Sequence, residues 1–377
     1  MTSAAPPSSP SPAGPGHSTP AQPRRRFDTI DAYRGIAVIG VVFSHAVIGV
    51  GGEGLLEEGS RLTAMNEWMY AFRMPAIALV LGLFISSGVD KYGTRGYIAR
   101  RAVVAVYLYL VWYVIQMGAE IATSSVKNHP VTFSDAIQVW SPPAHLWFIP
   151  YIAVSALVIA LVRPWDRLPW LTLPLLVGFS IAVWGWAPNI VGLRGLSLLG
   201  FSAVGACIGV RRFGSWLDRW QWPIIAAGIA SLVASVMLRT YEIVPASVAA
   251  TPEEMAMGRG AWLLPSVAMA WLGQFILAGA AIAAMKIPVV GRALAAVGRH
   301  TLSVYLAHII VIAGFRIILV RLGVDSVPVL MTVLMIAGVG LPLLAEWMVR
   351  GTPLRYVFDT PPRLLRWAGG SAERTRA

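Results

Sequence analysis

Charged side chains are scarce in this chain. They make up 13% of its 377 residues, against about 25% in soluble domains. Hydrophobic residues make up 56%, and the mean hydropathy is +0.66. This excludes a water-soluble fold and describes a polytopic membrane protein with the lipid bilayer as its solvent. Cysteine is almost missing. The one copy, Cys207, lies in an apolar run, so no disulfide within the chain and no cysteine metal site can form, and it reads as a small packing residue. Acidic residues are also few, 18 against 30 Lys and Arg, giving a formal net charge of +12. In a soluble chain that excess would suggest nucleic acid. Here the arginines stand between apolar segments, and no nucleic-acid partner is expected. There is no G-x-S-x-G, Walker A or H-E-x-x-H motif, no solenoid-type repeat and no inverted repeat. The histidines in apolar segments are far apart in sequence, so no metal site is expected.

What is present is a series of apolar stretches. A spanning helix needs about 20 mostly apolar residues. Ten stretches answer that description, near 33–51, 70–89, 102–122, 145–162, 169–187, 191–210, 222–239, 261–284, 301–321 and 327–349. The expected fold class is all-α, with about ten transmembrane helices. The fifth and sixth are separated only by a short turn around Pro188 and Asn189.

Lysine and arginine sort to one side of these stretches, which sets orientation. Arg24, Arg25 and Arg26 precede the first. Lys91, Arg95, Arg100 and Arg101 join the second to the third, Arg163 and Arg167 the fourth to the fifth, Arg211, Arg212 and Arg219 the sixth to the seventh. Lys286, Arg292 and Arg299 join the eighth to the ninth, and Arg350, Arg355, Arg363 and Arg366 follow the tenth. The other loops hold Glu53, Glu57, Glu58, Glu67, Asp135, Glu253 and Glu254 with few bases. Both termini are therefore expected in the cytoplasm and the chain in the plasma membrane. Residues 1–26, rich in Pro, Ser and Ala, read as a disordered cytoplasmic tail, 27–350 as the transmembrane domain, and 351–377 as a basic cytoplasmic tail. Arg24, Arg25 and Phe27 do not mark an export signal, because no small-residue cleavage site follows.

The first apolar stretch carries two residues a bilayer disfavours, Arg34 and His45. Their spacing is about three helical turns, so both fall on nearly one face, roughly 16 Å apart along the axis. Ionisable groups inside a span face a protein interior or a wet cavity and mark functional sites. Asp31 and Arg34 are spaced i,i+3, which suits an ion pair that fixes the arginine.

Asp31, Arg34, Gly35 and the S-H-A at Ser44-His45-Ala46 resemble the first helix of the membrane acyltransferase 3 family, and its fucose 4-O-acetylase-like branch in particular. Four further stretches fall in the family's order. Phe72-Arg73-Met74-Pro75 is similar to its F-[HR]-M-P segment, with Pro75 expected in a first turn or at a kink. Tyr97 to Trp112, with Arg100 and Arg101, resembles its basic loop into helix three, although Val104 and Leu108 replace the usual arginine and proline. Ala144-His145-Leu146-Trp147-Phe148 is similar to its H-L-W-F motif. Gly298 to His308 resembles its G-x-x-[ST]-L-x-x-Y-L-x-H stretch.

The resemblance implies a membrane-bound O-acyltransferase. Its donor would be cytoplasmic acyl-CoA, expected to be acetyl-CoA, with no permanently bound cofactor and no metal. Its acceptor would be a hydroxyl of a sugar, glycan or related acceptor, carbohydrate or lipid-linked. It implies His45 as catalytic base, Arg34 at the donor end, Arg73 at the acceptor or the oxyanion, and Arg95, Arg100 and Arg101 for the donor's phosphates. His145, Trp147, Tyr305 and His308 would contact the acceptor, with Asp31 structural. A transporter with Arg34, His45, Arg73 and His308 lining a proton or anion path is the competing class, and a family member that only binds a partner is a third. Interfacial aromatics and snorkelling arginines account for any one of these residues taken singly. His17, His129 and His300 receive no role.

Overall fold

Inside a bilayer every backbone N–H and C=O must find a partner within the protein, and a helix meets that demand locally. Accordingly the computed structural model is helical throughout, with no strand among the residues it describes, 27–57, 59–123, 134 and 137–373. The tail expected over 1–26 lies outside them, as do Glu58 and Asp135. In chain order the helices are α1 (Asp28–Gly52), α2 (Arg61–Leu83), α3 (Ile85–Ala122), α4 (Phe148–Val162), α5 (Pro169–Ala182), α6 (Leu199–Ile208) and α7 (Val210–Arg219). Then come α8 (Gln221–Leu238), α9 (Pro252–Met257), α10 (Arg259–Met285), α11 (Pro288–Arg299), α12 (Thr301–Arg321), α13 (Val327–Val349) and α14 (Pro362–Glu373).

Each of the ten expected stretches contains a helix, but the helices are unequal. Among the described residues six of them, α1, α3, α8, α10, α12 and α13, are long and apolar enough to cross a membrane, and a seventh span results if α6 and α7, bent by 79°, count as one. Helices α4 and α5 are apolar but only 15 and 14 residues long. Helix α2 has the length, 23 residues, but carries Arg61, Asn66, Glu67 and Arg73 and is not among the six. The chain is a multi-pass membrane protein.

The structure corrects several details. The helix expected over 191–210 begins only at Leu199, because Gly192 and Gly195 adopt φ of 80° and 93° and hold the preceding residues in turns. The basic stretch from Lys91 to Arg101 is not a loop. It is helical and belongs to α3, which changes direction at Gly93, where φ is 69°. Pro75 stands in the middle of α2 rather than in its first turn. The chain beyond Arg350 forms a 3-10 turn, Pro353–Val357, and then α14, which packs along α3.

Helix α1 is central and packs against α2, α10, α11, α12 and α13. Small residues set how closely helices approach in a membrane. At the α1–α11 crossing, a Cβ on Gly298 would lie 1.7 Å from the Asp31 carbonyl oxygen, and one on Gly35 2.2 Å from that of Leu294. The α2–α6 crossing repeats the device, with Gly205 against the Leu79 carbonyl and Gly82 against that of Ser202, each at 2.1 Å.

Candidate active site

Three histidines from three separate elements meet in the interior. His45 lies on α1, half-buried and next to the fully buried Ser44. His308 lies on α12 and is fully buried. His145 stands in the turn leading into α4, behind Ala144, whose φ of 45° bends the chain inward. The His308 ring centroid is 5.1 Å from that of His45 and 4.9 Å from that of His145, and the His45–His145 separation is 6.3 Å.

Backbone carbonyls fix two of these rings. His308 Nδ1 donates to the carbonyls of Val304 and Tyr305, at 3.0 and 2.8 Å. His145 Nε2 donates to the Leu306 carbonyl at 3.2 Å. An imidazole that donates from one nitrogen in its neutral form keeps a lone pair on the other. Those other atoms, His308 Nε2 and His145 Nδ1, are buried and have no hydrogen-bond partner among the described residues. An unmet buried polar group costs about 1–3 kcal/mol, and two of them in one cluster mark a place built to receive a polar ligand. His45 makes no hydrogen bond to a described residue. Tyr305, 5.1 Å from the His145 ring, donates its hydroxyl to the His145 backbone carbonyl and so ties α12 to the turn before α4.

Two guanidiniums border the cluster. Arg73 on α2 is 3% exposed. Its Cζ lies 3.7 Å from the Tyr70 ring centroid, one NH group donates to Asn66 Oδ1 at 3.3 Å, and its Nε has no hydrogen-bond partner among the described residues. Its charge lies within electrostatic range of His45, His308 and Tyr305. A buried cation without a carboxylate is costly unless its function requires it. Arg194 was not singled out from the sequence, because it falls in a stretch read as a span. It sits in the turn before α6, with Cζ 5.3 Å from the Trp147 ring, one NH group donating to Asn189 at 3.3 Å, and a buried Nε left unpaired. Its charge reaches Tyr305. Trp147 is itself 6% exposed and backed by Gly195, where a Cβ would come within 2.7 Å of the indole. It therefore walls the site instead of sitting at an interface.

The remaining expected residues stand apart from the histidines. Arg34 pairs with Asp31 at 3.6 Å, about three turns from His45 toward the start of α1. Arg95 is exposed on α3. Arg100 donates to the Leu365 carbonyl at 3.2 Å, and Arg101 to the Tyr97 hydroxyl at 3.2 Å. His300 gains a partner, Glu346, with Nδ1 at 3.0 Å from both carboxylate oxygens. Among the described residues, no three His, Cys, Asp or Glu side chains are arranged to hold a metal ion.

The site can accept a proton at a histidine nitrogen and stabilise negative charge beside Arg73. No curated protein and no solved structure matches the chain. The family model described as an acyltransferase domain matches residues 27–347, most of the chain, and takes in all three clustered histidines, Arg73 and Arg194. The chain therefore belongs to the acyltransferase 3 family, a membrane enzyme that transfers acyl groups other than amino-acyl groups.

Proposed function

We propose that this enzyme moves an acyl group, acetyl in the simplest case, from cytoplasmic acyl-CoA to a hydroxyl of a sugar, glycan or lipid-linked carbohydrate, in the manner of the fucose 4-O-acetylase-like branch. The observation that carries this reading is the meeting of His45, His145 and His308, two of them with a free basic nitrogen. A hydroxyl attacks a thioester carbonyl well only as its proton leaves. His45 takes that proton as the new C–O bond forms. The C–S bond then breaks, and the proton passes to the departing thiolate. Arg73 stabilises the oxyanion that develops on the carbonyl oxygen. His145, Trp147, Tyr305 and His308 hold the acceptor in line for attack.

On this reading the donor enters from the end of the bundle where α1 begins. Arg34 lies near the start of α1, and the loop charges assign Arg95, Arg100 and Arg101 to the same, cytoplasmic side. The acceptor comes from the opposite end. The test uses purified protein in liposomes, supplied with acetyl-CoA and a panel of glycan acceptors, with free thiol measured. Acceptor-dependent release of CoA is the expected result. A silent assay across acyl-CoA chain lengths, in both membrane orientations, would exclude acyl-CoA as donor.

A further inference from the structure

A polar cavity of about 280 Å³ lies at the end of the bundle where α1 begins. The pairing of Arg299 with Asp28, the first residue of α1, fixes that location. The cavity is walled by the start of α12, the end of α13 and the chain that follows. Arg299, His300, Arg350, Arg355 and Phe358 carry its chemistry, and Glu346 and Asp359 are its acidic members. No step described so far uses it.

The acidic members are already engaged. Glu346 holds His300 Nδ1 at 3.0 Å, and Asp359 accepts from the Thr360 amide at 2.8 Å. The arginines are loosely held. Arg350 is 3.4 Å from Glu346, and Arg299 is 3.4 Å from Asp28, longer than the roughly 2.7–2.9 Å of a tight charged pair. Arg355 bonds the Tyr356 hydroxyl at 2.8 Å and feels the Asp359 charge, but among the described residues it forms no ion pair within 4 Å. Three guanidiniums around one cavity, two of them in long ion pairs, match the oxygens of phosphate groups. Phe358 adds an aromatic surface, and its ring is steadied by Trp112 at 5.6 Å. A ligand with phosphates and a planar ring is thus described by the walls alone.

We propose that this cavity holds the phosphorylated nucleotide end of the acyl donor, an assignment that rests on acyl-CoA being the donor. The geometry connects it to the histidines. Leu302, which lines the cavity, stands one helical turn before Leu306, whose carbonyl fixes His145, a rise of about 6 Å. A flexible arm attached to phosphates in the cavity has a short distance to cover along α12. Arg355, Phe358 and Asp359 lie beyond residue 347, where the family match ends, so this chain's own C-terminal segment completes the wall. Arg100, which bonds Leu365, then acts on the donor as a positioning residue for that segment.

The test compares acetyl-CoA with acetyl-pantetheine, which lacks the nucleotide, and uses 3′,5′-ADP as a probe of the nucleotide end. Arg355→Gln and Arg350→Gln are assayed as full-length protein in detergent. The expected results are a KM for acetyl-CoA raised at least tenfold, an unchanged KM for acetyl-pantetheine, and 3′,5′-ADP binding weakened at least tenfold by direct titration. Unchanged acetyl-CoA kinetics and unchanged 3′,5′-ADP binding in both variants, with wild-type turnover intact, would overturn the cavity assignment and leave the transferase reading standing. A wild type that releases no CoA and does not bind 3′,5′-ADP would overturn both. Arg355 is the safer probe, since its exposed side chain contributes little to packing.

Discussion

His45, His145 and His308 are alike in chemistry and differ in tethering. The carbonyls that hold His145 and His308 restrict each to one free nitrogen, whereas His45 keeps both. His45 is therefore the ring able to swing onto an incoming hydroxyl. His45→Ala is expected to lower kcat at least about 10²-fold, the low end for general base catalysis, with near-normal expression and donor affinity. His45→Gln, which keeps a hydrogen bond but takes no proton, is expected to be as inactive. His308→Ala is expected to cost less. Steady-state kinetics of the three variants decide the matter: substantial activity in His45→Gln removes the base, and equal losses in both alanine variants favour a proton relay. For Arg73→Lys we expect a kcat loss of about 10² or more, because an ammonium loses both the Tyr70 stack and the forked donor geometry. Wild-type kcat in that variant would end the oxyanion role. Each of these residues was visible in the sequence as a polar group in an apolar run. Their meeting was not, since it depends on how α1, α12 and the turn before α4 pack. The same packing gathers histidines that look dispersed along the chain. Arg194 was hidden for a different reason: a hydropathy window passes over Gly192 and Gly195, yet these glycines are the turn signals that take it out of a helix.

At the scale of elements, the glycines of the recognisable motifs have a mechanical role. Gly35 and Gly298 let α1 and α11 touch backbone to backbone, and this sets the start of α12 and hence the height of His308. Overpacking of such a contact typically costs about 1–3 kcal/mol. Gly298→Ala is expected to lower the thermal midpoint in detergent by several degrees and to reduce activity with it. Gly314→Ala, on α12 where an added Cβ meets nothing within 4 Å, is expected to change neither. Equal stability of the two variants, followed by tryptophan fluorescence, would show that the crossing tolerates a methyl group. Helix existence was legible from apolar runs. Helix ends were not, because α2 and α3 extend into polar sequence where tertiary contacts, and not hydropathy, hold the backbone: α2 begins at Arg61, capped by the Ser60 side chain, and α3 carries Lys91 to Arg101.

For the whole molecule, the loop charges predict that the segment after Arg350 faces the cytoplasm and the 251–259 segment the other side. Reporter fusions after Arg350 and within 251–259 are expected to give opposite signals, and identical signals would overturn this orientation. The C-terminal segment has a second consequence, for the order in which the protein is made. Trp112 on α3 donates to the Val357 carbonyl at 2.7 Å, a bond spanning 245 residues of chain. Tyr107 and Arg100 likewise wait for the carbonyls of Tyr356 and Leu365. Until residues 356–365 have been made, these donors on an inserted helix lack these partners, and the bundle stays open along that flank. Biogenesis thus has a late checkpoint that only a chain carrying residues 356–365 can pass. A protein ending at Arg350 is expected to insert but to be cleared by membrane quality control, with a shortened half-life in a pulse-chase experiment even though the whole family-matched region is present.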